Sequence, residues 1–273
     1  MSILLPALPR CGRPFPRPHI QKECFLMSKT YLITGASSDV GHALMEHLLA
    51  DFSQGDCIIA QGSGDLARIA DLCQANPGVI HPYDVDLTSA EALDAFVRDV
   101  TATYPTPTHI IHLPALRAIN TKFKNFDEAR FDLDLNVSVK SAVHICKAFV
   151  PQMAKAKFGR VLFIQTSYTI GCPPKNMTAY VMAKSALGGL VKSLAVEYAS
   201  AGVTVNCVAP SMMETNFLKD TPDLIVQAAA ADNPMGRNCR VSDVVPAMAF
   251  LLSDEAAFIT GVTLPVTGGS AIV

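Results

Sequence analysis

Residues 30–52 read TYLITGASSDVGHALMEHLLADF, and the fold is decided there. Thr30 to Thr34 is a short, β-rich apolar run. Gly35-Ala-Ser-Ser-Asp-Val-Gly41 follows it. His42 to Phe52 then carries Leu44, Leu48 and Leu49 at helical spacing. The order is strand, glycine-bearing turn, helix. Glycines let the backbone approach a ligand closely, and a helix start offers free N–H groups and a positive dipole end to a pyrophosphate.

Outward from that stretch the same alternation repeats. Apolar strand-like runs are predicted over residues 57–60, 79–85, 108–113, 161–165, 203–208 and 262–266. Helical patterns are predicted over 66–73, 90–103, a long region from near Phe126 with Asn136 inside it, 180–199 and 244–252. Several strands are continuous apolar runs, as expected of strands covered on both faces. The pattern predicts one Rossmann-type, doubly wound parallel α/β sheet with helices on both faces. No internal repeat or second composition class interrupts it, so residues 28–273 read as a single domain.

Length and composition agree. The chain has 273 residues, of which 50% are apolar and 17% charged, which describes a globular chain with a generous core. A net charge of −2 argues against electrostatic nucleic-acid binding. No run reaches the roughly 18 uninterrupted apolar residues of a membrane span. The eight cysteines, Cys11, Cys24, Cys57, Cys73, Cys146, Cys172, Cys207 and Cys239, form no Cys-x-x-Cys pair and no zinc spacing. They read as reduced thiols of a cytoplasmic protein without a metal site. Residues 1–27 differ: Pro6, Pro9, Pro14, Pro16 and Pro18 break regular structure, and Arg10, Arg13 and Arg17 lie among them. This extension reads as a disordered basic tail, or as sequence ahead of a true start at Met27; the direct run from Met27 into the first strand favours the second.

The chemistry concentrates in residues 167–184, SYTIGCPPKNMTAYVMAK. Tyr180 and Lys184 are one helical turn apart and share a face. An ammonium beside a phenol favours phenolate and lowers the phenol pKa. Such a phenol can give or take a proton. Ser167 follows the apolar run 161–164, at the strand end where open α/β sheets bind ligands. Tyr and Lys at this spacing also occur as plain surface pairs, so the weight comes from the other motifs.

Together these residues resemble the short-chain dehydrogenase/reductase family, over residues 28–273. Thr34-Gly35 with Gly41 is similar to its Thr-Gly-x-x-x-Gly-x-Gly turn, and Asp86-Leu87 to its adenine-contacting pair. Asn136, Ser167, Tyr180 and Lys184 resemble its catalytic tetrad. Asn206-Cys-Val-Ala-Pro210, Thr215, Phe258-Ile-Thr-Gly261 and Gly268-Gly269 resemble its later signatures. The resemblance implies hydride transfer between a nicotinamide and a carbonyl/alcohol pair. In that scheme Tyr180 is the acid, Ser167 a donor to the carbonyl oxygen, Lys184 the group that lowers the Tyr180 pKa and holds the ribose, and Asn136 the anchor of a relay water. It implies cofactor contacts at Gly35, Ser37, Ser38, Val40, Gly41, Ser63, Asp86, Leu87, Leu113, Tyr180, Lys184, Pro210 and Thr215.

The departures from the family pattern are specific. Asp39 replaces the middle glycine of the turn, where it can cap the helix but brings charge near a pyrophosphate. His112-Leu113-Pro114-Ala115 replaces Asn-Asn-Ala-Gly, and Pro114 lacks an N–H. Pro210-Ser211 replaces Pro-Gly. His112 reads either as an extra acid or base or, more ordinarily, as a buried hydrogen-bonding group. Gln61-Gly62-Ser63 carries no carboxylate after the second strand, which leans towards NADP, with Arg68 a helper if its helix turns inward and NAD the alternative.

The overall likeness is to 3-oxoacyl-[acyl-carrier-protein] reductases. Phe158 and Ala201 stand where those enzymes grip the carrier protein with arginines, although Lys155, Lys157 and Arg160 lie close, so acyl carrier protein is a weakly supported partner. The apolar, alanine-rich loop 212–235 is expected to fold over the substrate, with Met212 and Met213 lining it. Homodimers or homotetramers through regions 126–154 and 180–199 are implied by the resemblance. Two rivals stand beside the reductase: a non-catalytic nucleotide-binding sensor or scaffold, and a sugar-nucleotide epimerase or dehydratase, which usually needs a longer chain.

Overall fold

The computed structural model describes residues 28–272; the extension expected over residues 1–27, with Cys11 and Cys24, lies outside the described residues. The sequence's strand-turn-helix opening forms β1 (Thr30–Thr34) and α1 (Asp39–Leu49). All five residues of β1 are buried, because the strand is covered on both faces and paired on both edges. Ser38 caps α1, its Oγ accepting from the Gly41 N–H at 3.1 Å and donating to the Gly35 carbonyl at 2.7 Å.

The remaining strands are β2 (Cys57–Gly62), β3 (Ile80–Asp84), β4 (His109–His112), β5 (Gly159–Ile164), β6 (Val203–Pro210) and β7 (Thr263–Val266). They form one seven-stranded sheet in the order β3-β2-β1-β4-β5-β6-β7, parallel throughout. The chain winds from β1 outward to β3, returns to the other side of β1 as β4, and continues to β7. The order therefore reverses between β1 and β4, and a crevice opens there at the carboxyl ends of the strands.

Helices cover both faces: α2 (Ala70–Ala75), α3 (Ala90–Thr103), α4 (Glu128–Leu135), α5 (Ser141–Lys155), α6 (Thr178–Tyr198), α7 (Asp223–Asp232) and α8 (Val241–Leu252) join α1. One core layer packs α1 and α8 against the sheet through Leu44, Met45, Leu48, Val244, Met248 and Leu251. The other packs α3, α5 and α6 through Phe96, Val100, Ile145, Phe149, Leu187 and Val191. Alternate residues of β1 serve the two layers: Tyr31 and Ile33 enter the first, Leu32 the second.

Three segments differ from the sequence reading. Residues 66–73 form a short 3-10 turn, Leu66–Ile69, before α2. The long region after Phe126 is two α-helices joined by a π-helical turn, Asn136–Lys140, with Asp127 capping α4 through the Arg130 N–H at 2.9 Å. The expected loop 212–235 contains a 3-10 turn, Asn216–Leu218, and α7. Its alanine run is a strong helix former, and Pro222 pre-sets the helix start. Helix α6 with its extension, Thr178–Ala201, is long and apolar enough to cross a membrane by length and composition. Here it packs Leu187, Val191 and Ala195 onto the sheet and buries Lys184.

Candidate active site

The turn after β1 is built by glycine. Gly35 has φ +71°, a left-handed conformation. A Cβ at Gly41 would lie 2.6 Å from the Ala36 carbonyl oxygen and 2.7 Å from the Gly35 one, so glycine is required for α1 to start this close to the turn. Ser37 sits beside Gly62: a Cβ on that glycine would come within 3.1 Å of the Ser37 Oγ. Gln61, buried at the end of β2, accepts from the Gly35 N–H at 3.1 Å and donates to the carbonyls of Gly62 and Val85 at 2.7 and 2.8 Å. Its amide knits the turn to its neighbours, while Ser63 is exposed beyond it. Val40 and Leu113 are buried in the core layer next to the turn.

Asp39 is the departure with the clearest structural answer. Its carboxylate accepts from the backbone N–H of Asn216 at 2.7 Å and from the Asn216 Nδ2 at 2.9 Å, and it forms an ion pair with Arg68. Burial by itself would raise the carboxyl pKa, but the Asn216 hydrogen bonds and the Arg68 charge hold it below the ordinary value. Arg68 does turn inward, towards Asp39, with Asp65 3.7 Å from its Nε.

Farther along, Asp86 is exposed and accepts from the N–H and hydroxyl of Thr88, both at 2.8 Å, which hold its pKa low; Leu87 is buried in the core. Pro210 ends β6 inside the sheet, and the Thr215 hydroxyl meets the Met213 carbonyl at 3.4 Å.

At the end of β5 the structure gathers Thr166 and Ser167, both buried, with Tyr180 and Lys184 of α6. Ser167 opens the 3-10 turn Ser167–Thr169 and lines a neighbouring cavity, and the Tyr168 ring that follows lies 6.5 Å from the Tyr180 ring.

Lys184 is buried, and its ammonium donates to the Ile164 carbonyl at 2.9 Å. Burial lowers its pKa to about 8, against the opposing pull of Cys207 and Asp134. The expected lowering of the Tyr180 pKa is not what this structure shows. Burial drives it well above the ordinary value; Thr166 opposes the rise, and Tyr168 and Asp134 add to it. The Phe217 ring centroid lies 6.3 Å from that of Tyr180, which is half-buried and also lines a cavity.

Asn136 opens the π-helical turn and is half-buried. Two residues on, Ser138 reaches β4: its carbonyl lies 3.0 Å from the His112 Nε2. The His112 Nδ1 lies 2.8 Å from the Thr34 Oγ1. Burial, with Lys184 nearby, lowers the His112 pKa to about 3, so it is a neutral structural bridge between β1, β4 and the π turn. Asp134, one turn before Ser138, is buried and its pKa is raised by burial against Arg130 and Lys184. Asp134 carries no sequence signal of its own.

Two cavities lie near the end of β5 and the start of α6. One, of about 190 Å³, is lined by Ser167, Tyr168, Cys172, Ser211, Met212, Ala229, Asp232, Asn233, Asn238 and Ser270, among others. The Ser211 Oγ in its wall is buried without a hydrogen-bond partner. The other, of about 200 Å³, is lined by Tyr180 itself with Arg130, Asp134, Asn176 and Thr178. Arg160, one of the cations near the expected carrier-protein grip, is buried, paired with Asp254 at 3.1 Å and 4.4 Å from the Phe158 ring, so it is not presented to a partner. Among the described residues no cluster of three His, Cys, Asp or Glu side chains could hold a metal.

An open parallel sheet with a glycine turn at its switch point, a hydroxyl at the end of a neighbouring strand, and a phenol and an amine one turn apart on the helix beside it, defines the class of dinucleotide-dependent oxidoreductases. A family profile described as enoyl-(acyl carrier protein) reductase matches residues 54–271. The 3-oxoacyl-[acyl-carrier-protein] reductase FabG of Pseudomonas aeruginosa is 30% identical over 247 residues, covering 89% of this chain and 98% of the relative. The FabG of Escherichia coli is 31% identical over 249 residues, covering 90% and 98%. A solved structure from Beutenbergia cavernae, described as a candidate NAD(P)-dependent gluconate 5-dehydrogenase with NADP bound at low occupancy, superposes with a TM-score of 0.81. It is 26% identical and covers 90% of this chain and 97% of its own. The chain belongs to the short-chain dehydrogenase/reductase family and is an NAD(P)-dependent oxidoreductase.

Proposed function

We propose that this protein reduces a carbonyl to an alcohol, or runs the reverse, with NADP(H) as the preferred cofactor and NAD(H) as the alternative. The observation that carries the reading is Ser167 at the end of β5 beside Tyr180 and Lys184 of α6, with the Lys184 ammonium bonded to the Ile164 carbonyl. The crevice fits a dinucleotide: Gly35 and Gly41 keep the turn after β1 free of side chains that would fill it, and Arg68 stands after β2. Ser37 and Ser38 border the turn, Thr215 and Pro210 lie after β6, and Asp86 after β3, where they would hold the cofactor's length. When bound, the dinucleotide supplies or accepts the hydride.

The side chains handle the proton. Tyr180 stands protonated in the enclosed site and gives its proton to the carbonyl oxygen as that oxygen gains charge. Ser167, in the wall of the cavity, donates a hydrogen bond to the same developing oxyanion. Lys184, with a pKa near neutrality, stores a proton beside the phenol and offers its ammonium to the ribose hydroxyls. Buried Asp134 lines the cavity on the far side with Tyr180, and Asn136, at the start of the π-helical turn, would anchor the water that links Lys184 to solvent.

The substrate is a ketone or a 3-oxoacyl thioester. The FabG relatives favour the thioester, and a cavity of about 190 Å³ with Ser167, Ser211 and Asp232 in its wall suits a short, polar reacting end. Acyl carrier protein would be met by Lys155 and Lys157, which are exposed, without help from Arg160. Exposed Leu133, Val143, Met182 and Val196 on α4, α5 and α6 support a homodimer or homotetramer through these helices.

The test is oxidation of NADPH and NADH, followed by absorbance, against a panel of 3-oxoacyl thioesters and small hydroxyketones. Turnover is expected with at least one of them and is expected to vanish in Tyr180→Phe, with cofactor binding retained. Near-normal turnover of Tyr180→Phe would remove the phenol from the reaction.

A further inference from the structure

The segment after β6 crosses the crevice. In the sheet order, β6 lies three strands from β1, so its loop travels roughly 14 Å to reach the start of α1. It is pinned there by Asn216, whose backbone and side-chain N–H groups both donate to Asp39. Phe217 lies against Tyr180, and Asp220 pairs with Arg117 from the loop after β4. From the other side of the crevice, after β2, Arg68 reaches the same Asp39 carboxylate.

One carboxylate thus sits at the turn that begins α1, held by two N–H donors and a guanidinium drawn from opposite sides of the switch point. That donor set is the kind that holds a phosphate. A phosphate and Asp39 cannot both use it without bringing like charges together. Arg68 in particular is already balanced, with Asp39 in contact and Asp65 at 3.7 Å.

We infer that Asp39 is an internal stand-in for a cofactor phosphate: the dinucleotide binds by displacing the Asp39 carboxylate from Arg68 and Asn216, and Asp39 thereby sets both cofactor affinity and the preference for the 2′-phosphate. This rests on the cofactor reading of the crevice given above. Freed Arg68 stands after β2, where a basic side chain accommodates the extra phosphate of NADP.

The test measures NADPH and NADH dissociation constants by calorimetry, in the full chain and in Asp39→Asn and Asp39→Gly. Asp39→Asn keeps the side chain's shape and an acceptor for Asn216, so it removes the charge while preserving the packing. Both variants are expected to bind NADPH about ten-fold more tightly, the worth of a released charge-assisted contact, with a smaller gain for NADH. An unimproved NADPH affinity, or an equal or larger gain for NADH, in Asp39→Asn overturns the inference while leaving the cofactor reading intact. Failure of all three proteins to bind either dinucleotide overturns both.

Discussion

Replacing Ser167 by alanine removes one oxygen and leaves the rest of the side chain in place. Ser167 is 8% exposed, so little water can substitute for the lost hydroxyl. The structural cost is small, because the residue lines a cavity at the end of β5 and does not fill the core. The catalytic cost is larger. Loss of one donor aimed at a developing oxyanion in a closed site costs about 100- to 1000-fold in turnover, or about 3–4 kcal/mol of barrier. The alkaline limb of the pH–rate profile is set by the Tyr180 phenol, so it should keep its place in this variant. The assay is kcat at saturating NADPH and substrate, with the profile taken from pH 6 upward by about four units. Ser167→Thr is expected to recover to within about ten-fold, and Thr166→Val to stay within about ten-fold of the parent. A larger loss in Thr166→Val than in Ser167→Ala would refute the assignment to the serine.

Two further outcomes follow from the same geometry. Lys184 has a folded pKa of about 8 against an ordinary value of about 10.4, so between those pH values the unfolded chain binds more protons than the folded one. Wild-type stability therefore carries its full penalty below about pH 8 and regains it as pH rises through that window. Lys184→Met, lacking the penalty, should melt higher at neutral pH by an amount on the order of 2–3 kcal/mol, less about 1 kcal/mol for the lost bond to Ile164. Its advantage should shrink towards pH 10; a melting difference that stays constant with pH refutes the burial account. Gly41→Ala forces a methyl to within 2.6 Å of backbone, which side-chain rotation cannot relieve. It should cost about 1–3 kcal/mol in urea unfolding and weaken NADPH binding, and unchanged values for both would show that the turn yields.

Much of the architecture was legible because it is written in local chemistry. The apolar run of β1, the glycines of its turn and the spacing of Leu44 and Leu48 each constrain the chain over a few residues. The bounds of α3 were read as they stand, since Ser89 caps its start. The helix inside residues 212–235 was not read, because its alanines signal helix and its apolar content signalled loop lining with equal force.

The site divides along the same line. Tyr180 and Lys184 follow from helical periodicity, and Gly35 and Gly41 from the demands of a tight turn. What required the tertiary structure is everything settled by contact between distant segments: His112 as a bridge, Asp134 behind Lys184, and Asp39 joined to residues from opposite ends of the crevice. Periodicity and turn chemistry act through neighbours along the chain, whereas burial and charge pairing act through space, and a pKa such as that of Lys184 exists only once the sheet has closed around it.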